Sequence, residues 1–293
     1  MVFINSEGKF NENSYLIDGQ LLRLTGAMAI YVIENNGMRM MIDTSSEIAA
    51  RKIVKKLKEF GLFPIHKLLL THSHWDHVQG VEKLKKLMGD FEVLASENAI
   101  EDLKNPERMS EPYEVTMNPV ENVIPLKEGA IIDLNGLKLE VINVFGHSLD
   151  CIAIFDKKNK NIFLGEPIHH KWDHDTIIPN FMPPDFNEAE LIKTIEKLRK
   201  MRKNLNSISL SHFGVWTDED LDKIFNNMEE IHFKTKDAFI KWYNENPSAE
   251  YVTAKYQETF IPDSKIITIE NIHGLQLMIS WLIKGLKLSG FIK

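Results

Sequence analysis

Apolar runs and helical stripes alternate along the first 215 residues of this chain. Short apolar runs predict strands at 27–33, 38–42, 68–70, 91–95, 137–144, 151–155, 161–164 and 207–211. Apolar residues spaced three and four positions apart predict helices between them at 46–60, 78–88 and 187–203. Residues 104–125 are irregular and hold four prolines, so this segment either borders a substrate cleft or is a surface excursion. Alternating strands and helices are typical of an α/β architecture.

The pattern becomes helical after residue 216. Helices are predicted at 217–244, 248–260 and 267–288. We therefore expect two parts, an α/β domain over residues 1–215 and a helical extension over residues 216–293. The last helix has an excess of apolar residues, and a homodimer contact is one interpretation of Leu275, Leu277, Met278, Trp281, Leu282 and Leu286.

One segment concentrates candidate chemistry. The predicted strand 68–70 runs directly into His72-Ser73-His74-Trp75-Asp76-His77, which places three histidines and one aspartate in six residues. Imidazoles and carboxylates are the usual protein ligands of zinc, iron and manganese. If the backbone stays extended, His72 and His74 point to one side and can share an ion, whereas Asp76 and His77 follow a turn and can reach a second site. A histidine-rich surface loop is the alternative, and the HxHxDH spacing disfavours it.

This segment resembles the central motif of the metallo-β-lactamase-fold hydrolases, which include glyoxalase II, lactonases, ribonuclease Z and sulfatase-like enzymes. The resemblance extends by motif order over residues 13–214 and implies a four-layer αββα sandwich. His147, Glu166 and His212 each lie just past a predicted strand, in the order that the superfamily uses. Because loops at strand ends build the sites of α/β folds, we expect these three residues beside the HxHxDH segment.

The resemblance also implies a ligand set for two divalent metal ions. The first ion would be held by His72, His74 and His147, the second by Asp76, His77 and His212, with Glu166 between them. Zinc is the expected metal, and iron and manganese are the alternatives. Asp43, at the end of a predicted strand, would brace the metal loop through hydrogen bonds without binding metal.

Glu166 departs from the common pattern, in which aspartate occupies this position. Its extra methylene moves the carboxylate outward, so that it bridges two ions or binds only one. The implied chemistry is hydrolysis by a metal-activated water, with Asp76 as the catalytic residue that orients the water or takes its proton. No cysteine nucleophile is needed, and Cys151 is interpreted as a small buried hydrophobic residue.

A second cluster follows Glu166 within a few residues. We expect His169, His170 and Trp172 to line the substrate pocket. The tryptophan would form an apolar wall, and the histidines would donate hydrogen bonds or protons. A polar loop without a specific task is the alternative interpretation.

Composition narrows the classes of partner. The net charge of -7 leaves no surplus of basic residues, so no nucleic-acid partner is expected. The single cysteine permits no internal disulfide and fits a reducing compartment. Residues 1–30 lack the basic-then-apolar order of a signal peptide, and the apolar stretch 275–286 is too short to span a bilayer. We expect a cytoplasmic protein without membrane attachment.

Hydrolysis of an ester, thioester or lactone bond in a small molecule is the expected function. Phosphodiester or alkylsulfate-ester hydrolysis is the main rival, and Glu166 slightly favours it. A flavodiiron-type oxidoreductase is disfavoured because those proteins usually carry glutamate at the position of His74. A non-catalytic metal-binding protein is disfavoured because the ligand set is complete. Glyoxalase II also adds helices that contribute to substrate binding, but its glutathione-contacting basic residues have no match here, so the natural substrate stays open.

Overall fold

The computed structural model describes residues 3–293. In chain order, the strands are β1 Phe3–Ile4, β2 Gly8–Lys9, β3 Ser14–Asp18, β4 Ala29–Asn35, β5 Met38–Ile42, β6 Lys67–Leu69, β7 Glu92–Ser96, β8 Val123–Leu126, β9 Ile131–Leu134, β10 Leu137–Asn143, β11 Ile152–Asp156, β12 Asn161–Leu164, β13 His170–Lys171, β14 Ile177–Ile178, β15 Ser207–Leu210 and β16 Val215–Thr217. The α-helices are α1 Ala50–Glu59, α2 Trp75–Val78, α3 Val81–Met88, α4 Ile100–Lys104, α5 Glu107–Ser110, α6 Glu188–Met201, α7 Asp218–Glu245, α8 Ala249–Phe260 and α9 Ile272–Leu288.

Two sheets of seven strands each are formed by these described strands. The first has the order β2-β3-β4-β5-β6-β7-β8, antiparallel up to β5 and parallel from β5 to β8. The second has the order β1-β16-β15-β12-β11-β10-β9, in which β12 and β15 are parallel neighbours. Strands β13 and β14 pair separately as a short ribbon.

The two sheets pack face to face, and helices cover their outer faces. Every residue of β11 and β12 is buried, as expected for strands covered on both sides. Tyr31 on β4 crosses between the sheets, with its hydroxyl 2.8 Å from the carbonyl oxygen of Leu210. Helices α1 and α3 pack together on the first sheet, and α7 packs against β15 and β16 of the second. The predicted four-layer αββα sandwich is therefore confirmed.

The C-terminal helices pack in succession, α7 on α8 and α8 on α9. Leu275, Leu282 and Leu286 of α9 are fully buried within the chain, whereas Leu277 is 45% exposed. Packing within one chain thus accounts for most of the apolar residues for which a homodimer contact was an interpretation, and the homodimer stays a prediction. Within residues 3–293, none of the helices combines the length and the apolar character needed to cross a bilayer.

Two predicted helices begin elsewhere, for local reasons. The predicted helix 78–88 is divided into α2 and α3, because the chain bends at Gly80, whose N–H donates to the Thr44 hydroxyl at 3.1 Å. Asp76 and His77 therefore lie on a short helix. The last helix begins at Ile272 because the side chain of Asn271 bonds the backbone of Thr268 and of Ile266 and competes with helical bonding there.

The segment 104–125 contains more structure than its prolines suggested. Helix α5 lies inside it, and β8 at its end pairs in parallel with β7. A 3-10 turn at Glu111–Tyr113 connects the two and carries Tyr113 inward, where its side chain is buried.

Candidate metal centre

Strand direction brings the candidate residues to one edge of the second sheet. Strand β11 is antiparallel to both β10 and β12, and β12 is parallel to β15, so β10, β12 and β15 run in the same direction. Their carboxyl ends therefore share an edge, and His147, Glu166 and His212 follow those ends. In the first sheet, the parallel strands β5 and β6 likewise end at Asp43 and just before His72.

Face-to-face packing joins the two edges into one site. The ring centroids of His72 and His147 are 5.0 Å apart, and those of His77 and His212 are 5.5 Å apart. Two clusters result, and within each one the candidate ligand atoms lie within 4.8 Å of one another. One cluster contains His72, His74, His147 and Glu166, and the other contains Asp76, His77, Glu166 and His212. The structure thus brings together all seven side chains that the sequence singled out, with Glu166 in both clusters.

Hydrogen bonds from behind orient the histidine rings. The Nδ1 atom of four rings faces an oxygen acceptor outside the clusters, at distances of 3.1 Å for His72 to the Thr71 hydroxyl, 2.8 Å for His77 to Asp43, 2.8 Å for His147 to the Asn180 carbonyl and 2.5 Å for His212 to the Ala27 carbonyl. Such bonds fix the tautomer and direct Nε2 inward, as in metal sites. His74 differs, since its Nδ1 faces His147 Nε2 at 2.9 Å.

Asp43 makes the contacts that its predicted bracing role requires. Its Oδ1 accepts the backbone N–H of Thr71 at 2.8 Å, and its Oδ2 accepts from His77 Nδ1 at 2.8 Å. The residue is fully buried and has a φ of 61°, a left-handed conformation that aspartate tolerates. Asp43 belongs to neither cluster, so it holds the metal loop from behind.

Asp150 braces the same loop and was missed from the sequence. Its Oδ2 accepts the backbone N–H of Ser73 at 2.9 Å, and its Oδ1 accepts the hydroxyl of Ser148 at 2.5 Å. Burial raises the pKa of this carboxyl. A single aspartate three residues after His147 carries no pattern that distinguishes it from an ordinary turn residue.

The donor set fits divalent metal ions. Among the described residues, buried His72 Nε2 and His74 Nε2 have no hydrogen-bond partner, whereas His212 Nε2 forms an ion pair with Glu166 Oε1. A buried polar atom without a partner costs about 1–3 kcal/mol, and coordination of a cation removes that cost. Imidazole nitrogens and carboxylate oxygens together suit zinc, iron or manganese. The two clusters are therefore suitable for metal binding.

The histidines of the centre fall into two groups according to the direction in which their pKa is shifted. Burial lowers the pKa of His72 well below its ordinary value and that of His74 to about 3, which keeps both rings in the neutral form that binds metal. Burial also acts to lower the pKa of His212, but the carboxylates of Glu166 and Asp76 outweigh it and raise that pKa to about 10. The pKa of His77 rises well above its ordinary value despite burial, because Asp43 lies beside it.

The carboxylates of the centre stay ionised. Burial acts to raise the pKa of Glu166, but the neighbouring histidines, His212 first, hold it well below the ordinary value. For Asp76, burial is likewise outweighed by His77 and His212, and its pKa is lowered. Protons on His77 and His212 balance this negative charge in the metal-free chain. Metal ions would displace those protons, since ligating histidines must be neutral.

A pocket opens onto the clusters. On the cluster side it is lined by His74, Asp76, Glu166, His170 and His212. On the opposite side it is lined by Leu21, Trp75, Tyr113, Trp172, Met182, Met278 and Trp281. The predicted pocket residues His170 and Trp172 lie there, and the His170 ring stacks on the His212 ring with centroids 4.4 Å apart.

His169 does not line this pocket, so its place in a substrate pocket stays a prediction. It faces a separate cavity together with Lys171 and His174. Strand β13 is extended, so successive side chains point to opposite sides. His170 and Trp172 therefore face the clusters, whereas His169 and Lys171 face away.

Most of the apolar pocket wall was not identifiable from the sequence. Tyr113 comes from the segment 104–125, and its hydroxyl donates to the Pro183 carbonyl at 2.5 Å. Met278 and Trp281 come from α9, whose apolar stripe has no feature that separates pocket residues from core residues. The only signals were the length and proline content of the segment and the apolar excess of the helix.

Cys151 is the buried hydrophobic residue that the sequence predicted. Its side chain is fully buried, and its sulfur accepts the backbone N–H of Glu166 at 3.4 Å. Burial raises the pKa of the thiol well above its ordinary value, which removes its reactivity as a nucleophile.

Comparisons with known proteins agree on one family. The sequence profile of the metallo-beta-lactamase superfamily matches residues 26–210. A hydroxyacylglutathione hydrolase of Aliivibrio salmonicida is 29% identical over 140 residues, which cover 47% of this chain and 46% of that protein. An acyl-coenzyme A thioesterase of Homo sapiens is 23% identical over 171 residues, which cover 54% of this chain and 59% of that protein. The chain thus spans about half of the length of these curated relatives.

Solved structures share the architecture over nearly the whole chain. A metallo-beta-lactamase family protein from Thermus thermophilus superposes with a TM-score of 0.68 at 17% sequence identity, over 96% of this chain and 95% of that one. At this identity the likeness shows the fold, and it includes the C-terminal helices.

Proposed function

This chain belongs to the metallo-beta-lactamase superfamily of hydrolases, and from that premise we propose that it hydrolyses an ester, thioester or lactone bond of a small molecule at a centre of two divalent metal ions. The observation that carries the proposal is the pair of buried ligand clusters that share Glu166. Among the three bonds, a thioester is favoured because relatives of this chain are an acyl-coenzyme A thioesterase and a hydroxyacylglutathione hydrolase.

The residues would divide between the two ions as the clusters do. His72, His74 and His147 would hold one ion and Asp76, His77 and His212 the other, with Glu166 reaching both. When bound, the ions supply Lewis acidity toward the substrate carbonyl and lower the pKa of a water molecule at the site. Zinc is the proposed metal, and iron or manganese suits the same donor set.

Asp76 is the proposed catalytic residue. It is the most exposed of the cluster side chains, at 15%, and it lines the pocket beside Glu166 and His212. Its lowered pKa keeps it ionised, so it can accept a hydrogen bond from the attacking water and orient it. Trp75 and Tyr113 on the opposite wall exclude bulk solvent from the reacting carbonyl.

Metal content and a substrate panel test this proposal together. Elemental analysis of the full chain purified with zinc, manganese or iron should give about two metal ions per chain. The loaded protein should cleave a thioester, with an aryl ester, a lactone, a phosphodiester and a sulfate ester assayed in parallel. Dialysis against a chelator should abolish activity, and restoring the metal should recover it.

Each arm has an outcome that contradicts the proposal. Activity on phosphodiesters or sulfate esters alone would replace the proposed bond class. A ratio near one metal ion per chain, at full activity, would eliminate the two-ion arrangement. The variant Asp175→Asn serves as a control, because that aspartate is exposed and lies outside the pocket.

A further inference from the structure

The pocket wall that faces the two clusters is a continuous apolar surface. Trp75, Tyr113 and Trp172 are nearly fully buried, at 4%, 6% and 3% exposure. Met182 and Met278 line the same pocket. Methionine side chains adapt to irregular shapes and contact aromatic groups favourably. A surface of this kind receives an apolar or aromatic group.

The rings connect the metal loop to the last helix. Tyr113 lies edge-on to Trp281 of α9, with centroids 5.1 Å apart, and edge-on to His74 with centroids 5.5 Å apart. Trp75 of α2 lies 6.2 Å from Trp281. Edge-on contacts of this kind are the geometry that aromatic rings prefer. The wall is therefore contiguous with the reacting side of the pocket.

The pocket has no long basic side chain. None of the twelve described residues that line it is a lysine or an arginine. Lys171 lies on the adjoining strand but turns into the other cavity. Lys284 of α9 donates to the Pro112 carbonyl at an exposed position and does not line the pocket. An acyl group with its own carboxylate or phosphate would find no partner on this wall.

We infer that the substrate acyl group is uncharged and apolar, and that it packs against Tyr113 and Trp281. This inference rests on the proposed acyl-ester or thioester hydrolysis and specifies its substrate class. The thiol carrier then extends away from the wall toward solvent.

Binding of two uncharged amides and one anionic amide tests the wall without requiring catalysis. Benzamide, acetamide and succinamate are titrated by calorimetry into the full, metal-loaded chain. Benzamide should bind at least about tenfold more tightly than either of the other two, because only its ring buries apolar area against the wall. Trp281→Ala should weaken benzamide binding about tenfold, and Trp281→Phe should retain most of it. Leu277→Ala is the matched control, since Leu277 is on the same helix but is exposed.

Kinetics with one constant leaving group tests the same wall during turnover. The substrates are the benzoyl, acetyl and succinyl thioesters of N-acetylcysteamine, whose thiol is uncharged. The expected kcat/KM is highest for the benzoyl thioester by at least about tenfold. Trp281→Ala should lower this value by a larger factor for the benzoyl thioester than for the acetyl thioester, because only the benzoyl ring buries apolar area against Trp281.

The outcomes separate this inference from the proposed function. Efficient cleavage of the succinyl or acetyl thioester without benzamide binding would overturn the apolar acyl pocket and leave thioester hydrolysis intact. Benzamide binding that depends on Trp281, without cleavage of any thioester or ester, would support the pocket and overturn the proposed reaction.

Discussion

Four of the five histidines of the centre are oriented by an oxygen acceptor behind the ring, and His74 is the exception. His77 is held by Asp43, and the same carboxylate holds the backbone of Thr71, the residue that precedes the HxHxDH segment. His147 is held by the Asn180 carbonyl. Because outer hydrogen bonds orient metal ligands and raise their basicity, residues that bind no metal determine its affinity.

Replacing Asp43 by asparagine should weaken the centre without touching a ligand. The amide keeps one acceptor for Thr71 N–H, but its NH₂ group cannot accept from His77 Nδ1. We expect metal affinity to fall about 10–100-fold, measured by competition with a chromogenic chelator. Asp90→Asn, at an exposed position, should bind metal with the affinity of the unmodified chain. An unchanged affinity in Asp43→Asn would refute the bracing role.

Glu166 and Asp76 should differ in how many ions their loss affects. Glu166 Oε2 lies 2.7 Å from His147 Nε2 in one cluster, and its Oε1 lies 2.9 Å from His77 Nε2 in the other. Asp76 belongs to one cluster only. Glu166→Gln should therefore weaken both sites, whereas Asp76→Asn should leave about one ion per chain by elemental analysis. Equal metal loss in the two variants would contradict a shared position for Glu166.

Among the elements, α9 is the one that ties the C-terminal helices to the site. It contributes Met278 and Trp281 to the pocket. It also crosses the backbone at Phe181 and Met182 so closely that a Cβ atom at Gly285 would lie 2.0 Å from the Phe181 carbonyl oxygen. Glycine disfavours a helix interior by about 1 kcal/mol relative to alanine. Glycine at this position therefore lowers helix propensity but lets α9 approach the backbone at Phe181 and Met182 closely. This contact holds Met182 in the pocket wall.

Two glycines on α9 provide a matched pair of substitutions. Gly285→Ala should lower the free energy of unfolding by about 1–3 kcal/mol, because backbone rather than a flexible side chain must move. Gly274→Ala meets no atom within 4 Å and should change it by less than about 1 kcal/mol. Urea unfolding measures the stability of both variants. The affinity for benzamide should fall only in Gly285→Ala. Equal stability of the two variants would show that α9 tolerates displacement.

Over the whole molecule, the pKa values of buried histidines are shifted in opposite directions. Burial lowers the pKa of His74 and of His169 to about 3 and that of His170 to about 4. Against burial, Glu166 and Asp76 raise the pKa of His212 to about 10. In the unfolded chain, all of these groups return to about 6.5. Stability of the metal-free protein therefore depends on pH on both sides of that value.

The metal-free chain should be most stable near pH 6.5. As pH falls from about 6.5 toward 3, His74, His169 and His170 bind protons in the unfolded state but stay neutral in the folded state, where they are buried. The free energy of unfolding therefore decreases over this range. As pH rises from about 6.5 toward 10, the native state holds a proton on His212 that the unfolded state releases, so stability is lost again. Each such group changes the free energy of unfolding by up to about 1.4 kcal/mol per pH unit.

Denaturant unfolding at a series of pH values, with and without metal, measures this dependence. Metal ions replace the proton on His212, so the alkaline loss should disappear in the loaded protein while the acid loss remains. A metal-free stability that rises steadily from pH 6.5 to 10 would contradict the raised pKa of His212.

Local pattern predicted an α/β architecture, and the resemblance to a known family implied the four-layer sandwich and the seven ligand candidates. Periodicity located the strands, and His72, His147, Glu166 and His212 could be placed because parallel strands end at a common edge. Boundaries such as the start of α9 were misplaced because side-chain bonds of Asn271 compete with the helix, and periodicity does not register such bonds.

The sequence alone determined the fold class and the donor set, because strand period, chain direction and ligand chemistry are properties of short segments. Only the tertiary structure decided what faces the donors. The wall combines Trp75, Tyr113, Met182 and Trp281 from four distant segments, and it separates His170 from His169, their immediate neighbour in sequence. Packing of the sheets and helices creates the contacts between distant residues and decides which side of an extended strand faces the site. The local spacing of residues encodes neither of these.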